Sequence, residues 1–379
     1  MIKLGIDRID HYLHMFKGKR VGLITNPTGV NKDLVTTINI MNQKTDLVAL
    51  FSPEHGVRGE LQAGVKLDDF VDAQTGITVY SLYGKNKKPS KEMMEKIDVL
   101  AIDIQDVGAR YYTFLYTMAY ALEACKESGK EIIIFDRPNP VNAVEVEGNI
   151  LNIEYRSFVG YYPIPQRYGL TVGELATLFN EEYKINANLT IIEMTGYKRS
   201  MDYLDTGIDW IMPSPNIPTP ETTYQYLATC LFEGTNMSEG RGTSKPFSII
   251  GSPYLKHDFI VNEIRKYHLP GVKFRSLYFT PMFSKHKDIL CKGIELIVWD
   301  KHVFKPVKTG YILFDLIRRH HKEFDYIKPF TNNGRHFFDY LTGDSYLREN
   351  RYPIEAVLRR IEKESETFKQ LKRRYQIYD

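Results

Sequence analysis

Short apolar runs alternate with longer stretches of helical period over the first two-thirds of the chain. The runs lie at Arg20–Thr25, Leu47–Phe51, Thr78–Leu82, Val99–Ile104, Glu131–Phe135 and Leu189–Glu193. Their β-branched and leucine-rich centres suit strands covered on both faces, as in a parallel sheet. Between them, Leu34–Asn42, Lys91–Lys96, Tyr112–Ser128 and Thr171–Tyr183 carry the spacing of helices. In the third, Leu115, Met118, Leu122 and Cys125 share one face, and Gly129 supplies a stop. Thr171, followed three positions later by Glu174, is a capping box for the fourth. The alternation predicts an α/β fold with a doubly wound, mainly parallel sheet and crossover helices.

From about Gly251 the texture changes to shorter segments with more aromatic and basic residues. Val272–Leu277, Ile294–Val298 and Tyr311–Arg319 suggest a few strands packed with helices, and Pro353–Tyr378 reads as a charged amphipathic helix. A boundary near 235–250 follows, giving a larger domain over 1–240 and a smaller α+β domain over 241–379. A length of 379 residues fits two domains better than one core.

Charge narrows the function classes. Fifty basic and 47 acidic residues leave a formal net charge of +3, which makes no case for a nucleic-acid partner. The basic runs Arg318-Arg319-His320-His321 and Lys372-Arg373-Arg374 read as solvated helix faces or ends. The three cysteines, Cys125, Cys230 and Cys291, are isolated and read as buried small hydrophobes. None of the ten histidines clusters with acids at zinc spacing, so no metal is expected. The start, Met1 to Arg8, is broken by charges where a leader's apolar centre would lie, and the compartment stays open. The uncharged stretch Tyr111 to Leu122 is too short to span a bilayer.

The chemistry collects where the predicted strands end. Asn26-Pro27-Thr28-Gly29 follows the first, and Ser52-Pro53-Glu54-His55-Gly56-Val57-Arg58-Gly59 begins at the end of the second. Asp103-Ile104-Gln105-Asp106-Val107-Gly108-Ala109-Arg110 overlaps the fourth, and Asp136-Arg137-Pro138-Asn139-Pro140 follows the fifth. Met212-Pro213-Ser214-Pro215-Asn216-Ile217-Pro218-Thr219 has the same character. Polar residues in Pro- and Gly-stiffened loops at strand carboxyl ends mark the crevice where open α/β sheets bind ligands. Glu54 has two open readings: a proton donor whose pKa is raised by apolar surroundings, or a loop-fixing partner of Arg58. His55 reads as a hydrogen-bonding neighbour. Asp103 and Asp106 are the second source of carboxylates, either paired with Arg110 or acting opposite the acid, as glycoside hydrolysis requires. Two aspartates alone are a weak signal for magnesium.

The segment Glu233-Gly234-Thr235-Asn236-Met237-Ser238-Glu239-Gly240-Arg241-Gly242-Thr243 sits at the domain junction. Its glycines suit either close approach to a ligand or a flexible linker, and Arg241 could grip a carboxylate in a bidentate fork. It does not match a phosphate loop, and no Gly-x-Gly-x-x-Gly follows the first strand. A nucleotide cofactor is disfavoured.

These motifs, taken with Tyr111-Tyr112-Thr113 after Arg110, together resemble the motif set of the NamZ exo-β-N-acetylmuramidase family, long known only as a domain of unknown function. The resemblance covers essentially the whole chain in six ordered motifs. It implies a Rossmann-like N-terminal domain bearing the active site, a smaller C-terminal domain closing the cleft, and no cofactor. It also implies release of terminal, non-reducing, β-1,4-linked N-acetylmuramic acid (MurNAc) from peptidoglycan fragments such as MurNAc-GlcNAc during wall turnover. Many members are exported. The family's proposed catalytic glutamate falls on Glu54, and Val57 stands where an aromatic is common. On this reading Asn26, Asn139 and Asn216 meet sugar hydroxyls and the acetamido group, and Arg58 or Arg241 meets the lactyl carboxylate. Asp103 or Asp106 serves as the second carboxylate, with His55, Arg110 and Glu239 among the substrate-binding set. A related hexosaminidase and a muropeptide-binding protein without turnover are the alternatives.

Overall fold

The computed structural model describes residues 2–54, 56–59, 69–84, 86–329, 331 and 334–379. Strands β1 (Arg20–Thr25), β2 (Asp46–Ser52), β3 (Phe70–Val71), β4 (Thr78–Ser81), β5 (Val99–Asp103), β6 (Glu131–Phe135) and β7 (Asn188–Ile192) form one sheet in the order β3-β4-β2-β1-β5-β6-β7. Every neighbouring pair is parallel except the short edge pair β3–β4. β5 is buried along its whole length, as is β1 after Arg20, because helices cover both faces of the sheet.

Helices α2 (Lys91–Met94), α3 (Phe114–Ser128) and α4 (Val172–Glu182) pack on one face. On the other lie α1 (Thr37–Lys44) and a run of 3-10 turns over Ile6–Met15. Gly129 ends α3 in the left-handed conformation, at φ 65°, where an L side chain would be strained. The Thr171–Glu174 capping box forms as expected. The predicted helix at Leu34 begins three residues later, at Thr37, because Leu34 itself is left-handed (φ 61°) and Thr36 supplies the side-chain cap.

The remaining chain begins with α5 (Pro220–Thr229) and a 3-10 turn over Cys230–Gly234. β8 (Ile249–Ser252), β9 (Val272–Phe279) and β10 (Cys291–Val298) make a three-stranded antiparallel sheet in the order β8-β10-β9. Around it lie α6 (His257–Arg265), α7 (Pro306–His320), α8 (Phe337–Thr342) and α9 (Ile354–Lys372). The fold is thus mixed α/β, with a mostly parallel sheet and a smaller C-terminal α+β region. Tyr311–Arg319 lies inside α7. One buried apolar cluster runs from the α3 and α4 face through α5, α7 and α8, so the two regions share a core.

Two details refine the sequence reading of the basic runs. Arg318 and Arg319 both pair with Asp315 near the solvated end of α7. Lys372 is not solvated: it is buried, and its Nζ donates to the carbonyls of Ala143, Val144 and Gly169 at 2.7–2.8 Å. The three cysteines are free and buried. Among the described residues no helix is long and apolar enough to cross a membrane.

Candidate active site

The chain leaves β1 toward β2 on one side of the sheet and continues from β5 on the other, with Thr25 and Asp103 in register at the point of divergence. Loops there open away from each other, which leaves a crevice at the carboxyl ends of the strands. A hollow of ≈320 Å³ lies among the loops after β2, β4 and β5, and the C-terminal region completes its wall. That size is at the small end of small-ligand sites.

Glu54, in the turn after β2, lines the hollow with Tyr83, Tyr112, Thr113, Tyr226 and Phe247. Thr113 Oγ1 donates to Glu54 Oε2 at 3.3 Å, and the Tyr83 phenol is also bonded to this carboxyl. Burial, reinforced by Glu54, pushes the Tyr83 phenol up to about 12, and burial raises Tyr112 further. Both phenols therefore stay protonated at neutral pH; the Tyr83 hydroxyl bonds Glu54, and the Tyr112 hydroxyl has no partner among the described residues. Among the described residues no cation pairs with Glu54. Arg58, the partner considered from sequence, instead forks onto Asp72 at 2.6 and 2.9 Å. His55 lies outside the described residues.

Asn216, in the loop before α5, and Arg241 also line the hollow. Arg241 Nη2 meets Glu233 Oε1 at 2.6 Å, its Nε meets Glu239 at 3.3 Å, and its guanidinium carbon lies 5.3 Å from the Phe247 ring centre. Burial would weaken the guanidinium's hold on its proton, but Glu233 and Glu239 more than offset this and raise its pKa. Glu239 is buried behind Arg241 and is also paired with Lys285 at 2.8 Å.

The other candidates support the loops from beneath. Asp103 does not face the hollow: it is wholly buried, with Arg137 Nε and Nη2 at 2.5 and 2.8 Å and the Thr37 hydroxyl on Oδ2. Both its oxygens are occupied, which corrects its assignment as a reacting carboxylate. Arg110 is not its partner. Arg110 is buried and donates to the carbonyls of Asn149, Ile164, Leu341 and Thr342 at 2.7–3.2 Å, tying the loop before α4 to α8. Asn139 is likewise structural: its amide donates to Leu170 O, and its Oδ1 accepts from Val141 N. It packs against Gly108, where φ is 76° and a Cβ would come within 2.5 Å of that oxygen. Asn26 is buried, its Oδ1 taken by Thr28, and its Nδ2 has no partner among the described residues.

Asp106 lies beneath the hollow, accepting from the Tyr168 hydroxyl and from Gly108 N at 2.6 Å. Burial raises its carboxyl to about 6, against the lowering effect of those bonds. A folded pKa above the unfolded one means that the neutral acid's contribution to stability is complete below about pH 4. It is lost as pH rises through about 6. Asp106→Asn is therefore expected to gain stability relative to the parent between pH 4 and 7, by on the order of 2–3 kcal/mol. Urea denaturation across that range checks this, and parallel pH profiles for the two proteins would refute it.

Sequence reasoning missed Tyr83, Tyr112, Thr113, Tyr226 and Glu233. Tyr112, Thr113 and Glu233 stand inside the motifs already singled out, and Tyr83 follows β4 at a strand end like the others. Tyr226 lies within α5, a stretch to which the sequence patterns assign no element. Among the described residues no group of three or more His, Cys, Asp or Glu converges as a metal site.

Residues 21–221 match the family model described as Exo-beta-N-acetylmuramidase NamZ, N-terminal, and residues 224–378 match its C-terminal counterpart. The chain is 48% identical over 383 residues to the Peptidoglycan beta-N-acetylmuramidase NamZ of Bacillus subtilis (strain 168), covering 100% of this chain and 91% of that protein. Two crystal structures of DUF1343 family proteins from Bacteroides fragilis NCTC 9343 share the fold. One has a TM-score of 0.90 at 37% identity and the other 0.79 at 30%, each covering 100% of this chain and 99% of the other. With both family models matched in sequence order, the chain belongs to the NamZ exo-β-N-acetylmuramidase family.

Proposed function

We propose that the hollow takes one terminal, non-reducing MurNAc residue and that the chain hydrolyses its β-1,4 link, as in MurNAc-GlcNAc, during wall turnover and recycling. The observation that carries this reading is Glu54: a carboxyl on the wall of a sugar-sized hollow, held by hydroxyl groups and compensated by no cation among the described residues. A carboxyl so placed stands within reach of the glycosidic oxygen of a sugar in the hollow, the position of a proton donor. Aromatic walls offer faces for the sugar ring, and Asn216 offers an amide to its polar substituents. Arg241, the one cation lining the hollow among the described residues, is the group proposed to meet the lactyl carboxylate.

The fold around the site fits the same reading. Counting only the parallel strands, their order is third, second, first, fourth, fifth, sixth, which supports a Rossmann-like label. The change from a parallel to an antiparallel sheet supports two domains, 1–240 and 241–379, with the second closing over the first.

Incubation with MurNAc-GlcNAc and mass analysis is expected to yield free MurNAc and GlcNAc, and an unchanged disaccharide would refute the proposal. Arg241→Met is expected to lower the preference for a MurNAc glycoside over the matched GlcNAc glycoside by tenfold or more, about 1.4 kcal/mol. Comparing kcat/KM for the two substrates measures it, and an unchanged ratio would remove Arg241 from lactyl recognition.

A further inference from the structure

We propose that Glu233 is the second reacting carboxylate: it takes a proton from the water that attacks the anomeric carbon while Glu54 protonates the leaving oxygen. This rests on the muramidase reading above.

Among the described residues two carboxyl groups line the hollow, Glu54 and Glu233, and their surroundings differ. Glu54 is held by the Thr113 and Tyr83 hydroxyls. Glu233 is held by a cation, with Arg241 Nη2 on its Oε1 at 2.6 Å, and its second oxygen has no partner among the described residues. Glu233 is thus paired with a charged group and Glu54 with neutral hydroxyls. Two carboxyls that line one hollow but differ in their partners can divide the acid and base roles that glycoside hydrolysis requires. Of the other acids near the site, Asp103 is engaged by Arg137 and Thr37 and Glu239 by Arg241 and Lys285, while Asp106, bonded through Oδ2 to Tyr168 and with Oδ1 unpartnered among the described residues, is buried and does not line the hollow.

Glu233 is also held rigidly. It sits in the 3-10 turn Cys230–Gly234, whose carbonyls at Phe232 and Glu233 accept from Lys285 Nζ at 2.8 and 3.4 Å. At Gly234 a Cβ would stand 2.5 Å from Phe338 Cα, so the turn is seated directly on α8. A reacting group needs a fixed position of this kind.

In the proposed step the bond between the anomeric carbon and the glycosidic oxygen breaks. Its electron pair stays on that oxygen, which takes the Glu54 proton. Water forms the new bond to the anomeric carbon from the opposite face and gives its proton to Glu233. One water is added across one bond, and the released MurNAc is the α anomer.

The test uses the full chain with MurNAc-GlcNAc, reading the first-formed anomer by NMR and kinetics for Glu233→Gln, Glu233→Ala and Glu233→Asp. The expected result is α-MurNAc from the parent and a loss in kcat of about a thousandfold for the Gln and Ala variants, with KM changed less than threefold. Azide is expected to restore turnover to Glu233→Ala by forming the α-glycosyl azide. Glu233→Asp keeps the charge and the ion pair, so it tests the role even where the other variants fold poorly. Drawn back by one methylene, its carboxylate is expected to lose at least tenfold in kcat. The proposal is overturned by a kcat within a few-fold of the parent in any folded variant. A loss confined to KM and to the MurNAc preference overturns it too, since Glu233 would then only orient Arg241. Release of β-MurNAc first also overturns it. A parent that releases no sugar refutes the muramidase reading itself, which the three variants are not needed to decide.

Discussion

Glu54→Gln is expected to lower kcat for MurNAc release from MurNAc-GlcNAc by about a thousandfold while leaving the unfolding midpoint within a few degrees of the parent. Glutamine has nearly the same shape and can still accept from Thr113 Oγ1 and the Tyr83 phenol. What it lacks is a proton to give. Because no cation pairs with Glu54 among the described residues, removing its charge leaves no buried partner stranded, and this is why stability is spared. A MurNAc glycoside with an acidic phenol as leaving group needs little protonation, so the variant should recover most of its rate on that substrate. Steady-state kinetics on both substrates with thermal melts provide the check. An equal loss on both would assign Glu54 to something other than proton donation, and full activity on the disaccharide would remove it from the chemistry.

Asp103→Ala should have the opposite profile, with stability falling by about 3–5 kcal/mol and any loss of turnover following from the loss of folded protein. Asp103 is wholly buried and carries two bonds from Arg137 and one from Thr37. Truncating it leaves the Arg137 guanidinium charged and buried, its remaining side-chain bond among the described residues going to Val30 O at 2.7 Å. Asp103 pairs in register with Thr25 where the sheet diverges, and Arg137 reaches across to the loop after β1. The ion pair therefore sets the base on which several active-site loops stand. Urea denaturation gives the free energy. A cost under about 1 kcal/mol would show the pair to be dispensable, and a large activity loss at unchanged stability would return Asp103 to the candidates for catalysis.

These two acids illustrate how far the primary chain reaches. The parallel strands were readable because burial on both faces leaves long apolar runs with few alternatives, and Gly129 and Thr171 mark helix ends through local backbone chemistry. Less was readable where the local signal is shared between element types. β8, four residues long, lacks the length to distinguish it, and the start of α5 at Thr219-Pro220 lies in a proline-rich stretch that reads equally as loop.

The set of loops at the strand ends could be read in advance, since topology sends every such loop of a parallel sheet to one edge. Which polar side chains within them face the hollow could not. Arg110 and Asn139 are of the same residue types as Arg241 and Asn216, which do face it, and stand in equally stiff loops, while Asp103 is an acid at a strand end like those that begin such loops. Buried carbonyls and charges must find partners within the protein, and Arg110 serves four carbonyls drawn from as far along the chain as α8. The primary chain alone was enough to place the parallel strands, the edge at which chemistry collects and the family motifs. Which polar residues are used up inside the protein followed from the folded packing, because that depends on partners tens to hundreds of residues away.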